Sequence, residues 1–328
     1  MAKNINSSLP GKLPPESAQT LLALLHAQGE VARLSEREQL YSSLLDSVNA
    51  VLWAFDWETR KVLYVSPAYE RIFGRPTSLV MADFNEWRDS IYPDDREYAE
   101  RSLAEVLLKG AVEDREYRIL TASGQVRWLS DKCYINQQLD GERVIIVGIA
   151  EDITEKKQLE GELHHLATTD VLTQSSNRRH FFECARQAFD SAREDGCPLA
   201  FLLLDIDDFK QVNDSFGHQE GDQVLQRIAD ISKAVLRRGD LFGRIGGEEF
   251  AAVFPGCSAQ AAEQIAERLQ REIERLSFRH GGQAYGVTVS QGLTGLTDED
   301  GSLDSLFARA DEAMYRAKRQ GKNQIVRG

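Results

Sequence analysis

Cysteine is scarce in this chain, and so are long apolar runs and net positive charge. The four cysteines, Cys133, Cys184, Cys197 and Cys257, show no metal-ligand spacing. They read as reduced thiols of a cytoplasmic protein. No stretch approaches the roughly 18–20 apolar residues of a membrane span. Met1-Ala2-Lys3-Asn4 leads into no signal-peptide core. The net charge of −13 argues against a broad basic surface for nucleic acid. A length of 328 residues predicts two domains.

What is present concentrates in the C-terminal half. Arg244-Ile245-Gly246-Gly247-Glu248-Glu249-Phe250 lies between Leu241-Phe242 and Ala251-Ala252-Val253-Phe254. Apolar segments around a Gly-Gly pair predict two strands joined by a tight turn. Glycine tolerates positive φ there and lets a bulky ligand approach the backbone. Adjacent carboxylates repel unless a cation compensates. A plain solvated hairpin tip is the competing reading. Leu199-Ala200-Phe201-Leu202-Leu203-Leu204 is a continuous apolar run, as in a strand buried on both faces. It ends in Asp205-Ile206-Asp207-Asp208-Phe209-Lys210. Hard oxygen ligands of this kind suit Mg²⁺, and the acids at 248 and 249 would complete such a site from a neighbouring strand.

Further segments follow in a fixed order: Thr169-Asp170-Val171-Leu172-Thr173, Asn177-Arg178-Arg179, Asn213-Asp214, Gly217-His218, Gly221-Asp222, Val287-Thr288-Val289-Ser290, Ala310-Asp311, Ala317-Lys318 and Gly321-Lys322-Asn323. With them, residues 167–328 resemble a GGDEF domain, the catalytic domain of diguanylate cyclases. The resemblance implies condensation of two GTP into cyclic di-GMP, with release of two pyrophosphates. It also implies that Asp205, the Ile206 carbonyl, Glu248 and Glu249 hold Mg²⁺ or Mn²⁺. Glu248 and Glu249 would be catalytic, with Glu248 the family's usual acceptor of the 3′-hydroxyl proton. A metal-bound carboxylate is a weak base, so metal acidification of the hydroxyl is an equal alternative.

Lys210, Lys318 and Lys322 would bind phosphate as point-charge donors. Leu306, Ala310, Ala313, Met314 and Ala317 predict a C-terminal helix on which Lys318 and Lys322 share a face. A basic helix end favoured by the dipole is the other reading. Many relatives carry Arg at the position of Lys322. Guanine would be read by Asn213 and Asp222, which could otherwise serve as a cap and an exposed helix-start acid. Phe209, Gly247 and His218 complete the implied substrate site, although His218 could simply support the Gly217 turn. Arg237 and Asp240 have the RxxD spacing of the family's product-inhibition site, with Arg268 as its further arginine; a polar turn with a surface ion pair is the alternative. Val171, Gln174, Ser175 and Gln291 depart from the family's usual Pro, Gly, Leu and an apolar residue.

The N-terminal half carries a second pattern. Tyr64-Val65-Ser66-Pro67-Ala68-Tyr69 follows a strand signal, and Pro93-Asp94-Asp95 opens a helix. Strands are predicted at 115–119 and 126–129, with Ser123-Gly124 as their turn. Asp152-Ile153-Thr154 closes the segment. This resembles a PAS domain. Residues 36–155 lack histidine, which argues against His-ligated haem. Cys133 lies in a strand, which argues against a photoadduct flavin. Trp53, Trp57, Trp87 and Trp128 line either an unidentified ligand's pocket or a plain core.

The expected fold is therefore α+β and multidomain. A disordered start and N-terminal helix (1–35) precede an antiparallel-sheet PAS sensory and dimerisation domain (36–155). A coiled-coil linker helix (156–168) follows, then an α/β, nucleotidyl cyclase-like GGDEF domain (169–328). Residues 1–15 read as disordered. Leu21, Leu22, Leu25, Leu34, Leu40, Leu44, Leu45 and Val48 suggest helices that pair. Leu159, Leu163 and Leu166 suggest a short seam for a homodimer. No phosphodiesterase domain is expected after Gly328. A silent cyclic di-GMP receptor and a PAS scaffold with residual cyclase activity are the competing functions.

Overall fold

The first sheet follows from alternation. In β3 (Ala111–Leu120) Arg115, Tyr117 and Ile119 point inward, and in β4 (Val126–Asn136) Leu129, Asp131 and Cys133 do so. Side chains of a strand face opposite sides of its sheet in turn, so each strand buries one face. These strands join β1 (Ala50–Asp56), β2 (Lys61–Val65) and β5 (Ile145–Asp152) in the antiparallel order β2-β1-β5-β4-β3. This computed structural model describes residues 26–37, 40, 50–136 and 143–328. The expected disordered start, and Leu21, Leu22, Leu25, Leu44, Leu45 and Val48, lie outside the described residues. Residues 26–37 form an exposed helix, α1.

Helices α2 (Ala68–Phe73), α3 (Thr77–Ala82), α4 (Asn85–Ser90) and α5 (Arg96–Lys109) accompany the sheet. Pro93–Asp95 form the single 3₁₀ turn that leads into α5. Its Asp95 grips Arg118 of β3 through both carboxylate oxygens, at 2.8 and 2.6 Å. The core encloses a cavity of about 50 Å³ among Trp53, Phe55, Phe84, Trp87 and Tyr117. Beside it, fully buried Arg115 pairs with Asp131 at 2.7 Å. Trp53 and Tyr117 also donate to Asp131, so the buried carboxylate is fully surrounded by donors.

Asp152 caps α6 (Thr154–Thr168) by accepting from Thr154 N and Oγ1. Leu159, Leu163 and Leu166 of α6 are exposed. The chain divides into compact units at residues 1–159 and 160–328, within α6.

In the second unit β6 (Leu199–Ile206) is buried along its whole length, as its apolar run predicts. The sheet order is β12-β11-β6-β8-β7, from β7 (Leu241–Arg244), β8 (Glu249–Pro255), β11 (Val289–Gly295) and β12 (Ile325–Arg327). Only the β11–β12 pair is parallel. Ala200, Leu202 and Leu204 pack with α8 (Phe209–Phe216), α9 (His218–Val235) and α10 (Ala259–Glu274). Leu199, Phe201 and Leu203 pack with α7 (Arg178–Glu194) and α11 (Leu303–Arg319). A short hairpin, β9 (Phe278–His280) with β10 (Gln283–Tyr285), stands apart. Gly292 of β11 sits under α11: a Cβ there would lie 2.0 Å from Ala310 O and 2.5 Å from Met314 N. The missing side chain is what lets α11 settle on the sheet.

Candidate active site

Strand register builds the site. Asp205, near the end of β6, pairs with Glu249 at the start of β8, and Ile206 N donates to Glu248 O at 3.3 Å. The hairpin tip between β7 and β8 therefore lies beside the end of β6. Asp205 is buried, and Lys318 from the last turn of α11 reaches it at 2.7 Å. Burial pushes the Asp205 carboxyl up to about 6; Lys318 opposes that rise, and neighbouring Glu248 and Glu249 add to it. Among the described residues no three acidic, histidine or cysteine side chains close into a metal-holding group. The donor set nevertheless fits a hard divalent cation. A buried carboxylate is crowded by two more acids and has drawn an ammonium onto itself as counterion.

At the tip, Gly246 acts by space, not by torsion. Neither Gly246 nor Gly247 has positive φ, contrary to one of the two reasons their sequence suggests. A Cβ on Gly246 would meet Glu249 Oε2 at 2.3 Å. Arg244 holds the tip by donating to Gly247 O at 3.1 and 2.7 Å, and Arg178 donates to Ile245 O at 2.8 Å. Arg244 also reaches Asp170 of the domain entrance at 3.3 Å. These braces escape the sequence reading, because nothing in the spacing of Asp170, Arg178 and Arg244 ties them to the turn.

The strand-end acids divide by role. Asp207 turns to structure: it accepts from Thr288 Oγ1 at 2.7 Å, Ser290 Oγ at 2.6 Å and Asn323 N at 3.0 Å. Asp208 pairs with Lys322 at 2.6 Å. Lys322 does not share a helix face with Lys318. The helix ends at Arg319, and Lys322 sits in the following turn at φ +63°. Its ammonium still reaches the acidic strand end by another route.

Phe209 opens α8 and is buried, whereas Lys210 on the same helix is exposed. Asn213 is half-buried on α8; His218 and Asp222 are exposed on the first turns of α9. Arg237 donates to Asp240 through N and Nε, at 3.0 and 2.9 Å, and to Pro255 O at 2.6 Å. The Asp240 side chain is only 1% exposed, so that carboxylate serves Arg237. Arg268 donates to Val235 O.

Comparison with known proteins agrees with this geometry. Residues 167–324 match the family model described as diguanylate cyclase, GGDEF domain, and residues 62–150 match the PAS fold. A diguanylate cyclase of Vibrio cholerae is 35% identical over 216 residues, covering 65% of this chain and 66% of that protein. Diguanylate cyclase DgcP of Pseudomonas aeruginosa is 40% identical over 159 residues, covering 48% of this chain and 24% of that one. The chain thus spans less than two thirds of either relative's length. The crystal structure of the coiled coil and GGDEF domain of DgcB from Caulobacter crescentus, in complex with c-di-GMP, is 31% identical with a TM-score of 0.51. That match covers 54% of this chain and 93% of DgcB's. Carrying both matched regions in this order, the chain belongs to the PAS–GGDEF diguanylate cyclase family.

Proposed function

We propose that this protein condenses two GTP into cyclic di-GMP. The observation that carries the reading is the meeting of Asp205, Glu248 and Glu249 at one sheet end, with Lys318 and Lys322 beside them. Asp205, the Ile206 carbonyl, Glu248 and Glu249 would hold Mg²⁺ or Mn²⁺. Such a cation, when bound, neutralises phosphate charge and acidifies the attacking hydroxyl. Lys210, Lys318 and Lys322 supply ammonium groups to the triphosphate. Asn213 and Asp222 read the guanine edge, with Phe209, Gly247 and His218 around the nucleotide. Catalysis of this kind rests on position and charge neutralisation more than on covalent help.

Each GGDEF domain would hold one GTP, so two must face each other. The exposed Leu159, Leu163 and Leu166 of α6 support a homodimer. PAS residues 36–155 would sense or transmit a signal to the cyclase domain at 169–328, in the cytoplasm. Arg237, Asp240 and Arg268 would bind product: Arg237 is 59% exposed, and Asp240 serves to aim it.

The test is incubation with GTP and Mg²⁺, with products identified by chromatography and mass. Cyclic di-GMP and pyrophosphate are expected, and their absence from the Glu248→Gln variant. Synthesis by Glu248→Gln at the wild-type rate would overturn the assignment of that acid. Arg237→Ala is expected to relieve inhibition by added cyclic di-GMP. Inhibition of unchanged strength would remove the RxxD pair from the control of the enzyme.

A further inference from the structure

We propose that Lys318 is an exchangeable counterion, held by Asp205 until a divalent cation takes that carboxylate and then released to the substrate's phosphates. The inference rests on the metal and triphosphate reading above and deepens it. The ammonium lies 2.7 Å from Asp205 Oδ2, with the lysine side chain 35% exposed and the aspartate side chain 6%. A buried carboxylate left without a cation is costly, so this pair forms whenever nothing else neutralises Asp205. The same carboxylate is the deepest acid of the proposed metal site, and two cations competing for one carboxylate repel each other. The lysine must leave when the metal arrives.

The fold lets it leave. Gly292 fixes the backbone of α11 on the sheet. The four-carbon stem of Lys318 can therefore swing while its Cα stays in place. Lys322 repeats the pattern on Asp208 at 2.6 Å, but both partners there are largely exposed, so that pair opens at little cost. It follows that divalent cation and triphosphate assist each other. The cation frees the ammonium that phosphate needs, and phosphate removes the ammonium that competes with the cation. By linkage the assistance is mutual.

Lysine acylation of the wild-type full chain, read by mass spectrometry, tests this without GTP. Lys318 is expected to react several-fold faster in MgCl₂ than in NaCl of equal ionic strength, with Lys61 and Lys132 unchanged as exposed references. Calorimetric titration with Mg²⁺ alone gives a second readout. Lys318→Met is expected to bind Mg²⁺ about tenfold more tightly than wild type, because its competitor is gone, and Lys318→Arg is expected to bind it about as wild type does. Lys318 labelling that ignores Mg²⁺, or a Lys318→Met affinity that is unchanged or weaker, overturns the exchange. If Glu248→Gln still abolishes synthesis in that case, the cyclase reading stands and only the exchange falls. If wild type binds no Mg²⁺ without nucleotide, the exchange falls, and the cyclase reading is decided by the GTP assay alone.

Discussion

Asp205, Asp207 and Asp208 look alike as letters, and their neighbours alone separate them. Asp207 is buried but satisfied by three donors, so it fastens the turn at Asn323. Asp208 lies at the surface and meets Lys322. Asp205 is buried and crowded by Glu248 and Glu249, which sets it apart as the acid proposed to take a cation. The sequence proposes Asp205 as a metal-site acid but does not reveal the structural role of Asp207, because Thr288 and Ser290 lie more than eighty residues further along. A pH dependence follows at this scale. The Asp205 carboxyl rises from 3.8 to about 6 on folding, so between those values the folded chain holds the extra proton. Its contribution to stability is therefore most favourable at low pH and declines as pH rises through about 6. A cation reverses that penalty only where the carboxylate is ionised. The Mg²⁺-induced rise in melting temperature is expected to be full near pH 7.5 and to fade through pH 6, with apparent affinity dropping about tenfold per pH unit below it. Thermal unfolding with and without Mg²⁺, from pH 5 to 8, checks this. An increment independent of pH, or one retained by Asp205→Asn, would remove Asp205 from the cation site.

Elements were legible where a single period governed them. The apolar run of β6 and the helical spacing of α11 are as the sequence predicts. The end of α11 differs from the spacing's prediction, and Gly321, at φ +118°, is the kind of residue that stops a helix. The four-residue spacing of Lys318 and Lys322 holds no helical meaning beyond that signal. One of the entrance departures has a plain account. Gln174 stands at φ +53°, where relatives place glycine, and its side chain donates to Val171 O at 2.8 Å. Gln291 is less comfortable: it is fully buried, with Oε1 unpartnered. The seating of α11 on β11 could not be foreseen from Gly292, because contact between a strand and a helix far along the chain leaves no local pattern. Yet that contact places Lys318 at Asp205. Gly292→Ala would drive a methyl into helix backbone, which cannot turn aside as a side chain can. The expected cost is about 1–3 kcal/mol of stability, with the wild-type slow labelling of Lys318 in the absence of Mg²⁺ lost as α11 lifts. Thermal unfolding and lysine acylation report the two effects. A variant with unchanged melting and a still protected Lys318 would show that this close approach positions nothing.

Across the whole molecule, residues 1–159 and 160–328 each have a core of their own. The PAS core contains a charge pair that its sequence conceals. Arg115 and Asp131 read as ordinary polar residues of alternating strands, and only the register, which sets them directly opposite each other, brings them together inside. Removing one partner of such a pair leaves a buried charge uncompensated, at about 3–5 kcal/mol, whereas replacing both by apolar groups costs far less. Asp131→Ala is therefore expected to lower the melting temperature of the first unit by roughly 10 °C, and Arg115→Met combined with Asp131→Leu to recover most of it. The molecule carries its own reporter, since Trp53, Trp57, Trp87 and Trp128 all lie in the first unit. Tryptophan emission follows that unit alone, and circular dichroism follows both. In Asp131→Ala the emission transition is expected to move down while a second dichroism transition stays where it was. A single transition displaced as a whole would mean that the units unfold as one. That would give the PAS domain a direct hold on the stability of the cyclase domain, beyond any signal passed through α6.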